Sequence, residues 1–335
     1  LTLGGDLVVG ALAGASGSGQ FDAGASVSVD GGLQVGVAGQ GSLDLHAVQA
    51  AGGGVVQVSD HTLIASGLTV PDGVDLRCVG PGRLRYTGTG TAITVNGGFY
   101  GDHRIRVYRP SAGWYSGSPE LTSIGLCVKN ARFTTIAVPE LGNFATGIQM
   151  LGDADGCVVN TLNLGYVYQN RRGLAFSAIN GGWSNQNVFV GGQIRLNSGP
   201  TPGLAGTTAV HIPADCGNGN VFVGINLEGE IPEYTIDCQD AYNLFIGCRL
   251  EGSRGVRIND ALGSSMIVGG YGIGAYPDYT IDVTTLGANK NKVFGPVGAA
   301  AAIPDPSGGS VVDVQARAAL ASILAHLRLD RQVEP

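Results

Sequence analysis

The sequence predicts an all-β fold, a parallel β-helix in which the chain winds coil upon coil. Three observations lead there. The phrase NQNVFVGGQI (residues 185–194) returns as NGNVFVGINL (218–227) and as AYNLFIGCRL (241–250). A second phrase of small, apolar, any, apolar residues interleaves with it, starting at Ala92, Gly125, Gly147, Gly173, Ala209, Thr235, Gly255 and Thr280. The chain also holds 57 glycines and 44% hydrophobic residues but only 13% charged ones. That composition suits short apolar strands joined by tight turns and excludes disorder.

Residues 1–42 are mostly Gly, Ala, Ser and Val. VSVDGGLQV (27–35) reads as two alternating strands about a Gly-rich turn. The segment has too few large apolar side chains for a core of its own, whereas three copies wound together bury one. A fibrous shaft or attachment segment is therefore expected.

Residues 43–298 carry the repeat. Asn187, Asn220, Asn243, Ser265 and Asn291 each stand four places before a glycine, at steps of 33, 23, 22 and 26 residues. Two strand phrases in a period of this length indicate a solenoid. A Leu-x-x-Leu-x-Leu frame is missing, and the period is too short for a four-stranded blade. About ten coils are expected, roughly 50 Å of stack at ~4.8 Å per coil. Alternation within the second phrase turns Ile93, Leu126, Ile148, Leu174, Val210, Ile236, Val256 and Ile281 inward. Val95, Val128, Met150, Phe176, Ile212, Cys238, Ile258 and Val283 follow them. Between them Thr94, Cys127, Gln149, Ala175, His211, Asp237, Arg257 and Asp282 face outward, the last four as a structural ladder of exposed charge pairs. The repeat Asn and Gly residues are assigned to turns between faces.

Residues 299–312 form a linker, and residues 313–335 a helix and tail. Leu320, Ile323, Leu324 and Leu327 make one amphipathic stripe. It either caps the last coil or joins symmetry mates in a three-helix bundle.

The stretch AAGGGVVQVSDHTLIASGLTVPDGVDLRCVGPGRLRY (50–86) carries a family resemblance. Gly53-Gly54, the β run 55–58, the turn VPDGVDL (70–76) and Gly80-Pro81-Gly82 are similar to the opening coil of pectate-lyase-like right-handed β-helices, as found in phage tailspikes. His61-Thr62-Leu63 and Cys78 depart from that opening, and the helix that usually precedes it is reduced to about residues 43–51. The resemblance implies a right-handed, single-stranded coil. It also implies a homotrimeric spike or fibre on the head or tail of a phage or phage-like particle, attached to other virion proteins through the N-terminal segment. Pectate-lyase catalytic residues have no matching motif here.

Chemistry is sparse. No phosphate loop, Ser/His/Asp frame or metal-ligand spacing is present, so neither cofactor nor metal is expected. A net charge of −7 argues against nucleic acid, and no apolar run reaches a membrane span. The opening LTLGG has no basic n-region, so no signal peptide is expected. The six cysteines sit in apolar strand patterns, as buried free thiols suited to assembly in a host's reducing cytoplasm. Glu228 and Glu251 are the weak catalytic candidates. Each lies four residues past a repeat glycine, and adjacent coils place them about 5 Å apart, the spacing of a retaining glycosidase pair. Tyr108, Trp114 and Tyr115 are the carbohydrate-binding candidates, rings in the long insertion VYRPSAGWYSGSPE (107–120). Subunit contact is the competing use of that insertion. GYVYQNRRG (165–173) and GGWSNQN (181–187) add Tyr166, Tyr168, Arg171, Arg172 and Trp183.

Three functions fit such a chain: a receptor-binding spike that holds host surface polysaccharide, a depolymerising tailspike (glycosidase or lyase), and a structural decoration or adaptor. The 26 acidic residues are spread thinly, which favours binding without catalysis.

Overall fold

The computed structural model describes residues 7–9, 26–29, 34–35, 45–50, 52–110, 121–196, 206–228, 234–251, 255–258, 264–273, 280–282 and 292–294. The insertion with Trp114 and Tyr115, the linker 299–312 and the helix 313–335 lie outside the described residues.

The described residues are all-β apart from the short helix Leu45–Ala50, whose Leu45 and Val48 are buried against the first coils. Every strand pairing is parallel, between strands one coil apart, an arrangement consistent with a parallel β-helix. One coil reads Val221–Val223, Asn226–Glu228, Tyr234–Cys238, and the next begins at Leu244–Ile246. Three strands per coil define three stacks. The third stack is a sheet of nine strands from Leu68–Pro71 to Thr280–Asp282. The first and second merge into one sheet of nineteen strands. They merge because Asp102–Tyr108, Thr135–Gly142 and Thr161–Asn170 run through both, with a register shift between Arg104 and Arg106.

The repeated phrase thus hides a corner. Gly191, Gly224, Gly247 and Gly269 break it into two strands at φ +60 to +65, a conformation open to glycine and costly for other residues. Two phrases per period are three strands per coil.

Among the described residues the second phrase faces as its alternation requires. From Ile93 to Val256 and from Val95 to Ile258, the paired columns are buried. In the first stack, Phe189, Phe222 and Phe245 form a second core column, with ring centroids 4.9 and 4.4 Å apart and planes within 8°. The strands within residues 1–42 extend the same sheet: Ser26–Val29 pairs with 55–58 and Gln34–Val35 with 63–64, rather than with each other.

The Asn positions correct the turn assignment. Asn160, Asn187, Asn220 and Asn243 are buried and form a ladder. The backbone N–H and the side-chain Nδ2 of each donate to Oδ1 of the next Asn, at 2.9–3.1 Å. Ser265 Oγ accepts from the Asn243 N–H at one end, and the Thr134 N–H donates to Asn160 Oδ1 at the other. Corners leave backbone donors without sheet partners, and a stacked amide satisfies them in the dry interior. The turns are made by the residues just before. Tyr100, Phe133, Val159, Gln186 and Tyr242 hold φ between +54 and +62.

The outward charge column is also corrected. Asp237 is 2% exposed, because flat stacking lets its neighbours close over it. Arg257 clamps it through Nε–Oδ1 and Nη2–Oδ2, both 2.7 Å, and His211 Nδ1 lies 3.0 Å from Oδ2. Arg257 also covers the Tyr234 ring at 4.4 Å. Asp282 takes the next register position. This is a buried structural knot rather than a row of exposed pairs.

All six cysteines are free, and all but Cys216 are buried. Burial pushes the Cys127 and Cys157 thiols up to about 12, so they stay protonated and inert.

Candidate functional site

The second stack brings three of the sequence candidates onto one surface. Its inward column runs Leu84, Val107, Leu141, Val167, Ile194, Leu227, Leu250, all buried. The residues on either side of that column must therefore face out. One outward column reads Arg85, Tyr108, Gly142, Tyr168, Arg195, Glu228, Glu251. The other reads Arg106, Glu140, Tyr166, Gln193, Asn226, Arg249. Tyr108, Glu228 and Glu251 share the first column. Trp114 and Tyr115 lie outside the described residues.

At the upper end, Glu140 gathers Arg83 at 3.4 Å, Arg106 at 3.1 Å and the Tyr168 hydroxyl at 3.4 Å. Arg83 also lies over the Tyr108 ring, 5.7 Å from its centroid. The Tyr168 ring lies flat on Gly142, where any β-carbon would fall inside the ring. It stacks on Tyr166 at 4.8 Å and 14°. Burial, then the Glu140 charge, pushes the Tyr168 phenol up to about 12, so its hydroxyl stays a donor. At the lower end Glu228 accepts from Gln193 Nε2 and pairs with Arg195 Nε at 3.2 Å, while Glu251 pairs with Arg249 at 2.7 Å.

The face is therefore a strip of flat aromatic rings beside carboxylate, guanidinium and amide groups. Rings stack on the C–H face of a sugar, and the planar polar groups exchange hydrogen bonds with its hydroxyls. Glu228 and Glu251 are direct register partners, as expected. However, each is paired with an arginine on an open face. An acid–base pair needs environments that separate the two carboxyls, such as an apolar pocket around one.

No family model matches this chain, and neither a curated protein nor a solved structure does. The site thus rests on geometry. Among the described residues no group of three or more His, Cys, Asp or Glu side chains is placed to hold a metal, and no helix is long and apolar enough to cross a membrane.

Sequence reasoning placed Glu140 in no site and left Tyr166 and Tyr168 without a role in one. The signal was available: Glu140 flanks Leu141 one coil from Val107, and Tyr166 and Tyr168 flank Val167 two coils from it, as Arg106 and Tyr108 flank Val107 itself. It was hidden because these coils turn their corner without the repeat glycine.

Proposed function

We propose that this chain is the receptor-binding spike or fibre of a phage or phage-like particle, holding host surface polysaccharide on the second-stack face without cleaving it. The observation that carries the reading is the continuous strip from Tyr108 to Glu251, where the stacked rings of Tyr166 and Tyr168 lie among hydrogen-bonding side chains supplied by successive coils. A repeating surface suits a repeating polymer. The finer fold belongs to the same reading: a right-handed, single-stranded helix of about ten coils, roughly 50 Å long at ~4.8 Å per coil. So do a homotrimer, attachment to other virion proteins through residues 1–42, assembly in the host cytoplasm and a final place on the particle surface.

The test is incubation of the purified protein with host capsule or lipopolysaccharide, scored for binding and for released oligosaccharide. Binding without release is expected. Release would favour the second reading, a depolymerase, which the register pairing of Glu228 with Glu251 supports. Neither binding nor release would leave a structural decoration protein. Light scattering is expected to give three copies, and a stable monomer removes the trimer from the proposal.

A further inference from the structure

The Asn ladder stops one coil above Thr134. The next position on that column is Gly101, whose carbonyl accepts the Thr135 N–H. Where the ladder ends, a cleft of about 250 Å³ opens at the corner between the third and first stacks. Its walls include Asp72, Val95, Phe99, Tyr100, Gly101 and His103. It lies on a different corner from the second-stack face and does not depend on that face binding anything.

His103 is the anomaly. It occupies an inward position of the first stack, in register with Ile136, in a column otherwise made of Val56, Leu76, Leu162, Phe189, Phe222 and Phe245. A polar side chain in an apolar column needs a reason. It is only 4% exposed. Its Nδ1 accepts the Leu76 N–H at 3.2 Å, which fixes the ring and leaves the proton on Nε2. Burial holds the imidazole below its ordinary pKa, so the ring is neutral near pH 7; Asp75 and Asp102 only partly oppose this. Among the described residues Nε2 has no hydrogen-bond partner. It lies beside Gly101, where a β-carbon would come within 2.7 Å.

The rest of the cleft is matched to this donor. The Asp72 carboxylate is an acceptor, engaged among the described residues only by a long 3.4 Å bond from the Phe99 N–H. Phe99 and Tyr100 supply ring faces, and Tyr100 is 77% exposed although stacked on Phe133 at 5.5 Å. Tyr100 holds the turn at φ +62, as Phe133, Val159, Gln186 and Tyr242 do in later coils, and Gly73 holds the equivalent turn one coil earlier at φ +76. A fixed N–H donor, a carboxylate acceptor and an aromatic wall ask for a ligand that both accepts and donates beside a C–H face. An organic cation meets the carboxylate and rings but is opposed by the N–H dipole.

We infer that this cleft is a second binding site, for a single neutral sugar ring or a polyol of that size. Its test is titration of the full-length protein with a panel of unmodified hexoses and N-acetylhexosamines at millimolar concentration, followed by NMR of the His103 ring and of the bound sugar. Saturable binding is expected, with shifts at His103. Tyr100→Gly keeps the turn, because glycine is at ease at that φ, and is expected to weaken binding by roughly tenfold. Asp72→Asn is expected to weaken it as well. Tyr168→Ala, on the second-stack face, is expected to leave it unchanged, so failure here and failure of the polysaccharide face are separable. Absence of saturable sugar binding, equal affinity in Tyr100→Gly, or tetramethylammonium binding in place of sugars overturns the inference.

Discussion

Asn220 shows how much one side chain carries in a stacked fold. Its Oδ1 takes two donors from Asn187, and its Nδ2 donates to the Ser184 carbonyl and to Asn243. Truncation strands a backbone N–H and an amide in the dry interior, at about 1–3 kcal/mol each. Asn220→Ala is therefore expected to lower unfolding stability by about 3 kcal/mol in urea titrations. Asn218→Ala, two residues away and exposed, should change it by less than about 0.5 kcal/mol. Asp237 makes a pH-dependent contribution. Burial alone would raise its carboxyl, but hydrogen bonds from His211, Arg257 and Gln239 outweigh burial and hold it well below the usual carboxylate range. The folded group thus binds its proton more weakly than the unfolded one. The stabilisation is complete above the unfolded Asp value near 4 and is lost as pH falls below it toward the depressed value. Asp237→Asn is expected to flatten the fall of the urea midpoint in that acid window. An unchanged slope would assign the acid sensitivity elsewhere.

At the scale of the element, the second-stack face and the corners make separate predictions. Tyr168→Ala should weaken polysaccharide binding by roughly 1–3 kcal/mol while the far-UV spectrum stays the same. Gly142→Ala should weaken it too, without touching a ligand-facing atom, because the new methyl lifts the Tyr168 ring off its seat. At the corners, Gly224→Ala meets open space and should cost only the left-handed backbone term, about 1–2 kcal/mol. Gly192→Ala should cost clearly more in the same thermal melts, since its β-carbon would overlap the Leu164 carbonyl. These corners also mark what the sequence made legible. The inward columns of the third stack were readable residue by residue, because a two-residue alternation with a buried face admits one register. The second stack was not, because residues 106–108, 140–142 and 166–168 follow a bend that lacks the positive-φ repeat glycine. Glu228 and Glu251 were placed together because their coils do carry that glycine. The Asn ladder was missed for a different reason. An Asn before a strand usually signals a turn, and only the stacked register reveals that its amide points inward.

At the scale of the molecule, each coil touches chiefly its neighbours, so stability accumulates along one axis as in other solenoids. That same regularity creates a folding problem. To Asn187, the amide of Asn243 is indistinguishable from that of Asn220, and to Phe189 the ring of Phe245 is as good as that of Phe222. A growing stack that skips one coil keeps both columns satisfied, so the skipped arrangement is a trap with little local penalty. Unequal steps, 33 residues between Asn187 and Asn220 but 23 between Asn220 and Asn243, provide some discrimination. The rest comes from the places where the ladder changes letter, at Ser265 on one side and, on the other, in the break at Thr134 and then Gly101. That break works as an origin from which the coils are counted. Thr134→Asn erases it by adding another identical rung. The variant is expected to refold from urea more slowly, with a larger trapped fraction, while its correctly wound fraction unfolds no more easily than the parent. For this chain, the irregular rungs keep the count and the regular ones supply the strength.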